Sequence, residues 1–449
     1  MRQVGDSNTI HRFRLLAPLY IGFGIFHMDS PEILVSGAGP VGLCAALALT
    51  RRGISVQIID TGVWACKHSY ALAVHPQAFP LLRELGVLDP ILAASHPVHA
   101  VTLCDQSGPR ARIQIDGHLA VVRQDRIEEI LGEALKAAGV EVQWRHELGS
   151  VSQDNGRVHA RIDKLEKESR GYIVAHTEWV VAKSYEVEPR FVVGADGYNS
   201  RVRRSLGISF PELAPASYYA VFEFQSDVDL RDEMRLLLGE RTTDVLWPLP
   251  DTYCRWSFQL PDYSDPEAER LKDRLLEAGF GYFPTERTKE RLHTSTPGAL
   301  PVLDETNLKT LLAERAPWFQ SPIGHITWRT MVRFERRLAD RFGRGRLWLT
   351  GDAAHLTGPA GVQSMNVGFA EACDLAAALE QILRGKGGEN LLDAYNQRWS
   401  AVWKQLHGTL HATPQTDPWI ATRAGVLTPC LPAHGTALAQ LAAQIHLQL

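Results

Sequence analysis

Hydrophobic runs and glycine-rich turns alternate in the first part of the chain in the order expected of a β-α-β unit. Ile33 to Val35 form a short apolar run, and residues 40–52 have helical composition with Gly53 as a C-terminal stop. A second apolar run, residues 56–59, ends on Asp60. This order predicts a strand, a helix and a second strand.

Two later strands also end on glycine turns. Phe191 to Val193 lead into the turn of residues 194–197, and Ser200 is a natural N-cap for a helix that begins near Arg201. In "RLWLTGDAAHLTGPAGVQSMNVG" a hydrophobic strand stops on Gly-Asp and a loop of glycine and proline follows. A further helix is predicted from about residue 366 to residue 383, with its apolar residues on one face.

Between about residues 210 and 326 the pattern changes to strand-like runs, "YYAVFEF", "DVLWPLP" and "CRWSFQL". The last run alternates as in a half-buried sheet, with an apolar face of Cys254, Trp256, Phe258 and Leu260 and a polar face of Arg255, Ser257 and Gln259. The segment "HITWRTMVRF" alternates likewise, with Ile326, Trp328 and Val332 on one side. These runs predict a sheet packed on helices, one face of which lines an apolar, aromatic pocket.

Composition narrows the function without deciding it. The chain has 449 residues, enough for two or three domains, and 47 basic against 51 acidic residues give a formal charge of -4. This balance gives no electrostatic case for nucleic acid or an anionic membrane as the main partner. The 6 cysteines are scattered without C-x-x-C or metal-ligand spacing, which is typical of a cytoplasmic protein and suggests no metal site.

The first 27 residues contain the single stretch that resembles a targeting segment. Its uncharged run, Leu15 to Phe26, has 12 residues, too few to cross a bilayer, and no small-residue cleavage site follows. We therefore expect residues 1–27 to be an N-terminal extension, Met28 to be a plausible true start, and the chain to have no transmembrane segment.

The first glycine turn carries a specific chemical expectation. Gly37, Gly39 and Gly42 match G-x-G-x-x-G: the first makes a tight turn, the second lets backbone N–H groups approach a diphosphate, and the third allows close helix packing. The diphosphate would lie at the N-terminus of the helix that begins with Pro40 and Val41. Asp60, at the end of the second strand, is placed to accept hydrogen bonds from a ribose. These residues predict a dinucleotide site and leave NAD and FAD as alternatives.

Three motifs in this order resemble those of a known family, the class A (single-component) FAD-dependent monooxygenases, which include para-hydroxybenzoate hydroxylase. They are the glycines of residues 37–42, the Gly-Ala-Asp-Gly of residues 194–197, and "GDAAH" of residues 351–355 with its loop. The resemblance extends from residue 32 to about residue 400.

The resemblance implies an α/β fold, with a Rossmann-like FAD-binding domain, an inserted sheet-rich substrate domain and a helical C-terminal tail. We place the FAD-binding domain at residues 28–210 and 327–400, the substrate domain at 211–326, and the tail at 401–449. The implied activity is insertion of one atom of O2 into a small electron-rich, aromatic substrate through a flavin C4a-hydroperoxide, with NADPH or NADH as co-substrate. No protein nucleophile or metal is needed, since the flavin carries the chemistry. Either a monomer or a homodimer is compatible with it.

The family's cofactor contacts map onto named positions of this chain. Asp352, after Gly351, would bind the ribityl or ribose part of FAD, Asp196 would lie near the diphosphate, and Arg123 in "VVRQDRIEEIL" would approach the flavin. Backbone rather than large side chains would face the ring. The residues of that loop are Gly358, Pro359, Ala360, Gly361, Val362, Met365 and Asn366.

The loop departs from the family at two places. The usual Gly-Gly-Gln-Gly-Met-Asn here contains Val362 and Ser364 in place of two glycines, which is expected to restrict the ring or alter the approach of substrate.

Other functions remain open from the sequence. They are a flavin-dependent halogenase, although W-x-W-x-I-P is absent, a reductase of the geranylgeranyl reductase type, and a non-catalytic flavin-binding protein. His355 is interpreted as a structural hydrogen-bonding group. The six arginines between Arg333 and Arg346 are interpreted as a solvated strand and turn, with attraction of a nicotinamide cofactor's phosphate as the alternative.

Overall fold

The computed structural model describes residues 30–63, 72–170, 176–261, 291–293 and 301–449. The predictions for residues 1–27 lie outside these ranges. No helix among the described residues is long and apolar enough to span a membrane.

Strands and helices are numbered in chain order over the described ranges. The strands are β1 (Ile33–Ser36), β2 (Val56–Asp60), β3 (Ala73–Val74), β4 (His96–Asp105), β5 (Gly108–Val121), β6 (Gln143–Trp144), β7 (His146–Asp154), β8 (Arg157–Arg170), β9 (His176–Val187), β10 (Phe191–Gly194), β11 (Glu212–Gln225), β12 (Glu233–Leu238), β13 (Thr243–Pro248), β14 (Tyr253–Gln259), β15 (Arg291–His293), β16 (Ile326–Leu338), β17 (Gly343–Arg344), β18 (Leu347–Leu349), β19 (His355–Leu356), β20 (His411–Ala412) and β21 (Leu447–Gln448). The helices are α1 (Pro40–Arg51), α2 (Phe79–Glu84), α3 (Leu88–Ala93), α4 (Gln124–Ala137), α5 (Arg201–Ser205), α6 (Glu305–Arg315), α7 (Gln363–Leu383), α8 (Asn390–Leu406), α9 (Pro418–Ala421), α10 (Ala424–Leu427) and α11 (Gly435–Ala443). The predicted α/β class is confirmed.

The first sheet contains the predicted β-α-β unit. Its strand order is β17-β18-β10-β1-β2-β6, and β1 pairs in parallel with both β2 and β10. The apolar residues of β1 and β10 are buried on both faces, as expected where helices cover a parallel sheet. Helix α1 ends at Arg51, and Gly53 follows in the left-handed region, so the predicted stop is confirmed.

The carboxyl ends of three strands meet at one edge of this sheet. β10 lies between β1 and β18, and both pairings are parallel. Therefore the turns that follow Ser36, Gly194 and Leu349 leave the sheet side by side. This is the edge at which open α/β sheets bind ligands.

The second sheet draws on three separated parts of the chain. Its order is β15-β16-β11-β14-β13-β12-β4-β5-β3. The strands of residues 73–121 join it through a parallel pairing of β4 with β12, and β16 joins it through β11. The sheet thus extends beyond the predicted substrate domain of residues 211–326. The sequence did not predict this extension, because long-range pairing leaves no local signal. The predicted domain boundaries stay a prediction, and the one at residue 401 falls inside α8.

The expectation that the strand of residues 254–260, most of which lies in β14, is half-buried is wrong. Arg255 and Ser257 of β14 are 2% and 6% exposed, so the polar face is covered as well. The apolar face packs Trp256 and Phe258, stacked with ring centroids 4.9 Å apart, in one cluster with leucines of α6. Ile326 joins that cluster instead of lying beside Trp328 and Val332, because a register shift interrupts the pairing of β16 with β11.

A buried carboxylate fastens α7 to the end of β18. Glu371 accepts hydrogen bonds from Thr350 Oγ1 at 3.2 Å, Gly351 N at 3.0 Å and Trp403 Nε1 at 2.6 Å, and His355 Nε2 lies 2.9 Å from it. His355 also stacks on Trp403, with ring centroids 3.7 Å apart. Both side chains of the Glu371–His355 pair are fully buried. His355 therefore has the structural surroundings that its sequence position suggested.

Replacing this carboxylate tests its contribution to stability. Glu371→Gln turns an amide N–H₂ toward donors and leaves at least one of them unpaired, so we expect the unfolding free energy to fall by roughly 3 kcal/mol. Urea unfolding monitored by circular dichroism measures this. The matched control is Glu380→Gln on the same helix, whose partly exposed ion pairs with Arg52 and Arg384 predict a change below about 1 kcal/mol. Equal losses in the two variants would contradict the network.

Candidate functional site

Backbone contacts bring the three predicted turns together. Gly37 has a φ of +104°, and a Cβ there would collide with the carbonyl oxygen of Ala195 and lie 2.9 Å from Cα of Asp196. Gly351, with a φ of +62°, packs on Val41, since a Cβ would lie 3.1 Å from that side chain. The first turn therefore contacts both the second and the third, and larger residues at Gly37 and Gly351 would separate them.

The third glycine of the first turn has the role assigned to it. A Cβ on Gly42 would collide with the carbonyl oxygen of Gly37, so this glycine is needed for α1 to approach the strand. At Gly39, by contrast, nothing lies within 4 Å of the position of a Cβ. The backbone of Gly39 faces open space.

Helix α1 begins at this open space with its donors free of side-chain caps. Its N-cap is Gly39, Pro40 occupies the first turn, and no acidic residue lies in that turn. The first N–H groups of a helix carry a partial positive charge, which favours an anion.

Asp60 makes local hydrogen bonds at the predicted ribose position. Its Oδ2 accepts from Ala38 N at 2.7 Å and its Oδ1 from Gly62 N at 2.6 Å. The carboxylate therefore fixes the conformation of the glycine turn. A contact of Asp60 to a ribose stays a prediction.

Asp196 lies in the second turn and begins α5. Its Oδ2 accepts from Arg201 N at 2.7 Å, and Ser200 caps the helix through Arg203 N at 3.0 Å, so the predicted N-cap is confirmed. Burial raises the pKa of Asp196. Its other oxygen, Oδ1, is buried and has no hydrogen-bond partner within the described residues.

The third turn exposes Asp352 and leads into the glycine and proline loop. Asp352 is exposed in the 3-10 turn of residues 351–353. Further along, Thr357 Oγ1 and Ser364 Oγ are buried without a partner in the described part of the chain. The second turn and the loop after the third turn therefore each present polar side-chain atoms that no described residue satisfies.

Helix α7 begins at Gln363, three residues before the predicted start. Val362 is its N-cap in a left-handed conformation, and no side chain caps the helix. Met365 and Asn366 lie inside the fold. Asn366 Nδ2 donates to Ala73 O at 2.9 Å and to Val362 O at 2.8 Å. Any contact of these two residues to a cofactor stays a prediction, since Asn366 is already engaged in holding the loop.

A buried histidine supports the same loop. His75 Nε2 lies 2.9 Å from Gly361 O, and the His75 backbone N–H donates to Asn366 Oδ1 at 2.7 Å. Burial, and then the charge of His434, lower the pKa of His75 to about 3. The imidazole is therefore neutral near pH 7, with Nε2 as the donor to the carbonyl oxygen. No sequence pattern singled this residue out.

Arg123 lies in a charge cluster on the covered face of the second sheet. Its Nε donates to Glu223 Oε2 at 3.2 Å, and the other oxygen of Glu223 accepts from Arg255 Nε at 2.7 Å. The guanidinium of Arg255 also lies over the ring of Trp328, 4.7 Å from its centroid. Sequence analysis missed Glu223 and Arg255 as site residues. The available signal was a glutamate and an arginine within otherwise aromatic strands.

A cleft joins this face to the loop. The empty space between them, counting the part that is open to solvent, is about 350 Å³. Its lining residues from the sheet side are Leu72, Val221, Trp247, Arg255, Ser257, Trp328, Val332 and Phe334, and those from the loop are Pro359 and Val362. Aromatic rings and the guanidinium of Arg255 therefore border the same space as the loop that follows Asp352.

The arginines of residues 333–346 do not line the cleft. Arg333 and Arg337 pair with the buried Glu335, and Arg341 and Arg346 form ion pairs with exposed acids of the region around α8. These four arginines are thus held in ion pairs, unlike those of a freely solvated strand. The described residues contain no group of three or more His, Cys, Asp or Glu side chains placed to hold a metal ion.

Comparison with known sequences gives one family and several curated relatives. The profile of the family described as "FAD binding domain" matches residues 31–408. The 6-methylpretetramide 4-monooxygenase of Streptomyces rimosus is 30% identical over 415 residues, covering 90% of this chain and 65% of its own length. The pentachlorophenol 4-monooxygenase of Sphingobium chlorophenolicum is 24% identical over 85% of this chain and 64% of its own. The chain thus spans slightly less than two thirds of these relatives.

Comparison with solved structures concerns the fold alone, because the identities are low. The p-nitrophenol 4-monooxygenase PnpA of Pseudomonas putida DLL-E4 has a TM-score of 0.65 at 21% identity and covers 93% of both chains. The flavin-dependent monooxygenase PieE, solved with FAD and substrate, has a TM-score of 0.61 at 21% identity. The match covers 84% of this chain and 61% of the PieE chain.

The neutral buried His75 generates a pH-dependent stability. The pKa of about 3 in the folded protein lies below the ordinary value near 6.5, so below about pH 6.5 the unfolded chain binds a proton that the folded protein does not. Stability is therefore lost as the pH falls, by about 1.4 kcal/mol per pH unit from this residue. We expect His75→Gln to reduce the slope of unfolding free energy against pH by that amount between pH 6 and pH 4.5. Urea unfolding at each pH measures the slope.

The control for this experiment is His411→Gln, which removes a histidine from an exposed strand. It is expected to keep the slope of the parent protein. A His75→Gln slope indistinguishable from the parent would show that His75 takes up its proton equally in both states.

Proposed function

Because the chain belongs to the FAD binding domain family, we propose that it is an FAD-dependent monooxygenase that consumes NADH or NADPH. It would transfer one atom of O2 to a small electron-rich aromatic molecule. The reaction balances as substrate, NAD(P)H, H⁺ and O2 giving hydroxylated substrate, NAD(P)⁺ and water. Its relatives are named as monooxygenases of aromatic compounds, and the chain covers less than two thirds of their length.

The residues of the three turns fit FAD. The uncapped N-terminus of α1 and the open backbone of Gly39 suit the diphosphate. The unpartnered oxygen of Asp196 and the exposed Asp352 offer acceptors to hydroxyl groups of the cofactor. Bound there, FAD supplies the redox chemistry and the activation of O2.

The observation that carries the proposal is the cleft between the loop and the second sheet. Pro359 and Val362 border it on the side of the proposed cofactor site, and Trp247, Trp328 and Phe334 border it on the other. Aromatic walls suit a flat ring, which can stack against them. A substrate in this cleft would therefore lie against the loop expected to carry the flavin ring.

The charge cluster at the cleft favours an electron-rich form of the substrate. Arg123 and Arg255 both pair with the carboxylate of Glu223, and the guanidinium of Arg255 borders the cleft. A positive charge beside an aromatic ring favours the phenolate over the phenol. Because a phenolate is the more nucleophilic form, we place phenols first among the substrates. In this role Arg255 stabilises the negative charge of the bound ring. The loop faces that ring with its backbone and without bulky side chains.

Turnover measurements test the proposal. The purified protein, loaded with FAD, is mixed with NADH or NADPH and a panel of phenols, quinolones and polyphenols while NAD(P)H oxidation and O2 uptake are recorded together. We expect at least one phenol to stimulate both, in equal molar amounts, with a hydroxylated product. Stimulated NAD(P)H oxidation without O2 uptake would favour the reductase, a halide-dependent product the halogenase, and flavin retention without turnover the binding protein.

The role of Asp352 has its own test. Asp352→Ala removes hydrogen bonds to FAD worth roughly 1.5 to 3 kcal/mol, so we expect the dissociation constant of FAD to rise by about tenfold to hundredfold. Titration of apoprotein with FAD, followed by flavin fluorescence, measures it. Asp340→Ala, at an exposed site before the strand, is the control and should keep the affinity of the parent. Unchanged affinity in Asp352→Ala would place the cofactor elsewhere.

A further inference from the structure

Val362 adopts a backbone conformation that a β-branched residue rarely takes. Its φ is 49° and its ψ is 36°, in the left-handed region, where the Cβ crowds the following carbonyl. Glycine, which has no Cβ, takes this conformation without strain. Strain of this kind persists where the surroundings determine the conformation, and it is found at functional sites.

The residues on both sides of Val362 are held by the C-terminal tail. Gly361 N donates to Pro429 O at 3.0 Å, and a Cβ on Gly361 would lie 2.7 Å from that same oxygen. On the other side, Gln363 Nε2 donates to Thr428 O and to Leu431 O, each at 3.0 Å. All of these partners lie in residues 428–431, beyond the family match that ends at residue 408.

The loop is also held from within. Val362 O accepts from Asn366 Nδ2 at 2.8 Å, and Asn366 in turn binds the backbone of Ala73. Gly361 O faces the buried His75. Residues 361–363 are therefore fixed on three sides, and relaxation of Val362 to an ordinary conformation would break several buried hydrogen bonds at once.

The side chain of Val362 lies in the cleft. It is 8% exposed and borders the space shared with Trp247 and Trp328. The cleft is narrow, since water-sized molecules have only about 20 Å³ of free volume in it. A glycine at this position would leave the volume of an isopropyl group open to the substrate.

We propose that Val362 is a specificity-determining residue that limits the cleft to a one-ring phenol, and that residues 428–431 of the tail hold it in that position. The inference rests on the proposed function, since it concerns the substrate of the same site. It assigns the tail a task in substrate selection, which the family match does not cover.

Ligand binding tests the size limit without requiring turnover. Phenol, 2-naphthol and 2-anthrol are titrated into the FAD-loaded protein, and the change in flavin absorbance gives each dissociation constant. We expect the parent to bind phenol at least tenfold more tightly than 2-anthrol, and Val362→Gly to reduce that ratio to about threefold or less. The matched control is Val332→Ala, which shortens another valine of the cleft on a regular strand and should change the ratio less.

Stability gives a second readout that needs no ligand. Val362→Gly relieves the strain, whereas Val362→Ala keeps a Cβ in the left-handed region and loses two methyl groups. We therefore expect the thermal midpoint of Val362→Gly to exceed that of Val362→Ala. Val332→Gly, where the backbone is extended, should instead fall below Val332→Ala.

Two results would overturn the inference. One is a parent protein that binds 2-anthrol as tightly as phenol, and the other is a Val362→Gly variant less stable than Val362→Ala. Failure of the proposed function gives a different result. If the parent shows the size limit but never consumes O2, the monooxygenase proposal is wrong, while Val362 is still a determinant of ligand binding.

Discussion

Close packing of the glycine turns at the ends of three parallel strands is the constraint on which this structure depends. The turn at Gly37 meets the carbonyl of Ala195 at a distance that leaves no room for a Cβ, and Gly351 packs tightly on the side chain of Val41. Because the turns touch, the polar atoms around them converge on one edge of the sheet. The same constraint sets the start of α1, whose free N–H groups face the open side of Gly39. Most of the cofactor contacts that we propose are consequences of this packing.

The parts of the fold that follow from local pattern were predictable from the sequence. The unit of β1, α1 and β2, and the cap at Ser200, depend on residues close together in the chain, and they are present as expected. The parts that depend on distant partners were not. The pairing of β4 with β12 and the burial of Arg255 arise from residues far away in sequence, so periodicity alone assigned the polar face of β14 to solvent. The start of α7 was placed too late because the side chain of Gln363 is anchored by carbonyls of the tail.

The residues of the site likewise divide into those that local sequence patterns predict and those that depend on distant partners. The glycine motifs and the acids Asp60, Asp196 and Asp352 can be read from short sequence patterns, although their binding of a cofactor stays a prediction. The opposite wall of the cleft could not be found in that way. Glu223 and Arg255 are direct neighbours across β11 and β14, and a pairing of this kind becomes visible only when the register of the two strands is known. His75 is a further case, since its importance comes from burial beneath the loop rather than from any motif.

The second sheet has a consequence for how the chain reaches its native state. β4 and β5 are synthesised early, but the neighbour of β4 on its other side, β12, begins only at Glu233, and β11 acquires β16 later still. Contacts between such distant segments are slow to form, because a long loop must close before they contribute any stability. On the ribosome, the growing polypeptide therefore carries unpaired strand edges over a long interval, and such edges favour intermolecular aggregation. Yields from heterologous expression should consequently respond to slower translation, lower temperature and added chaperones more strongly than the stability of the finished protein alone would suggest.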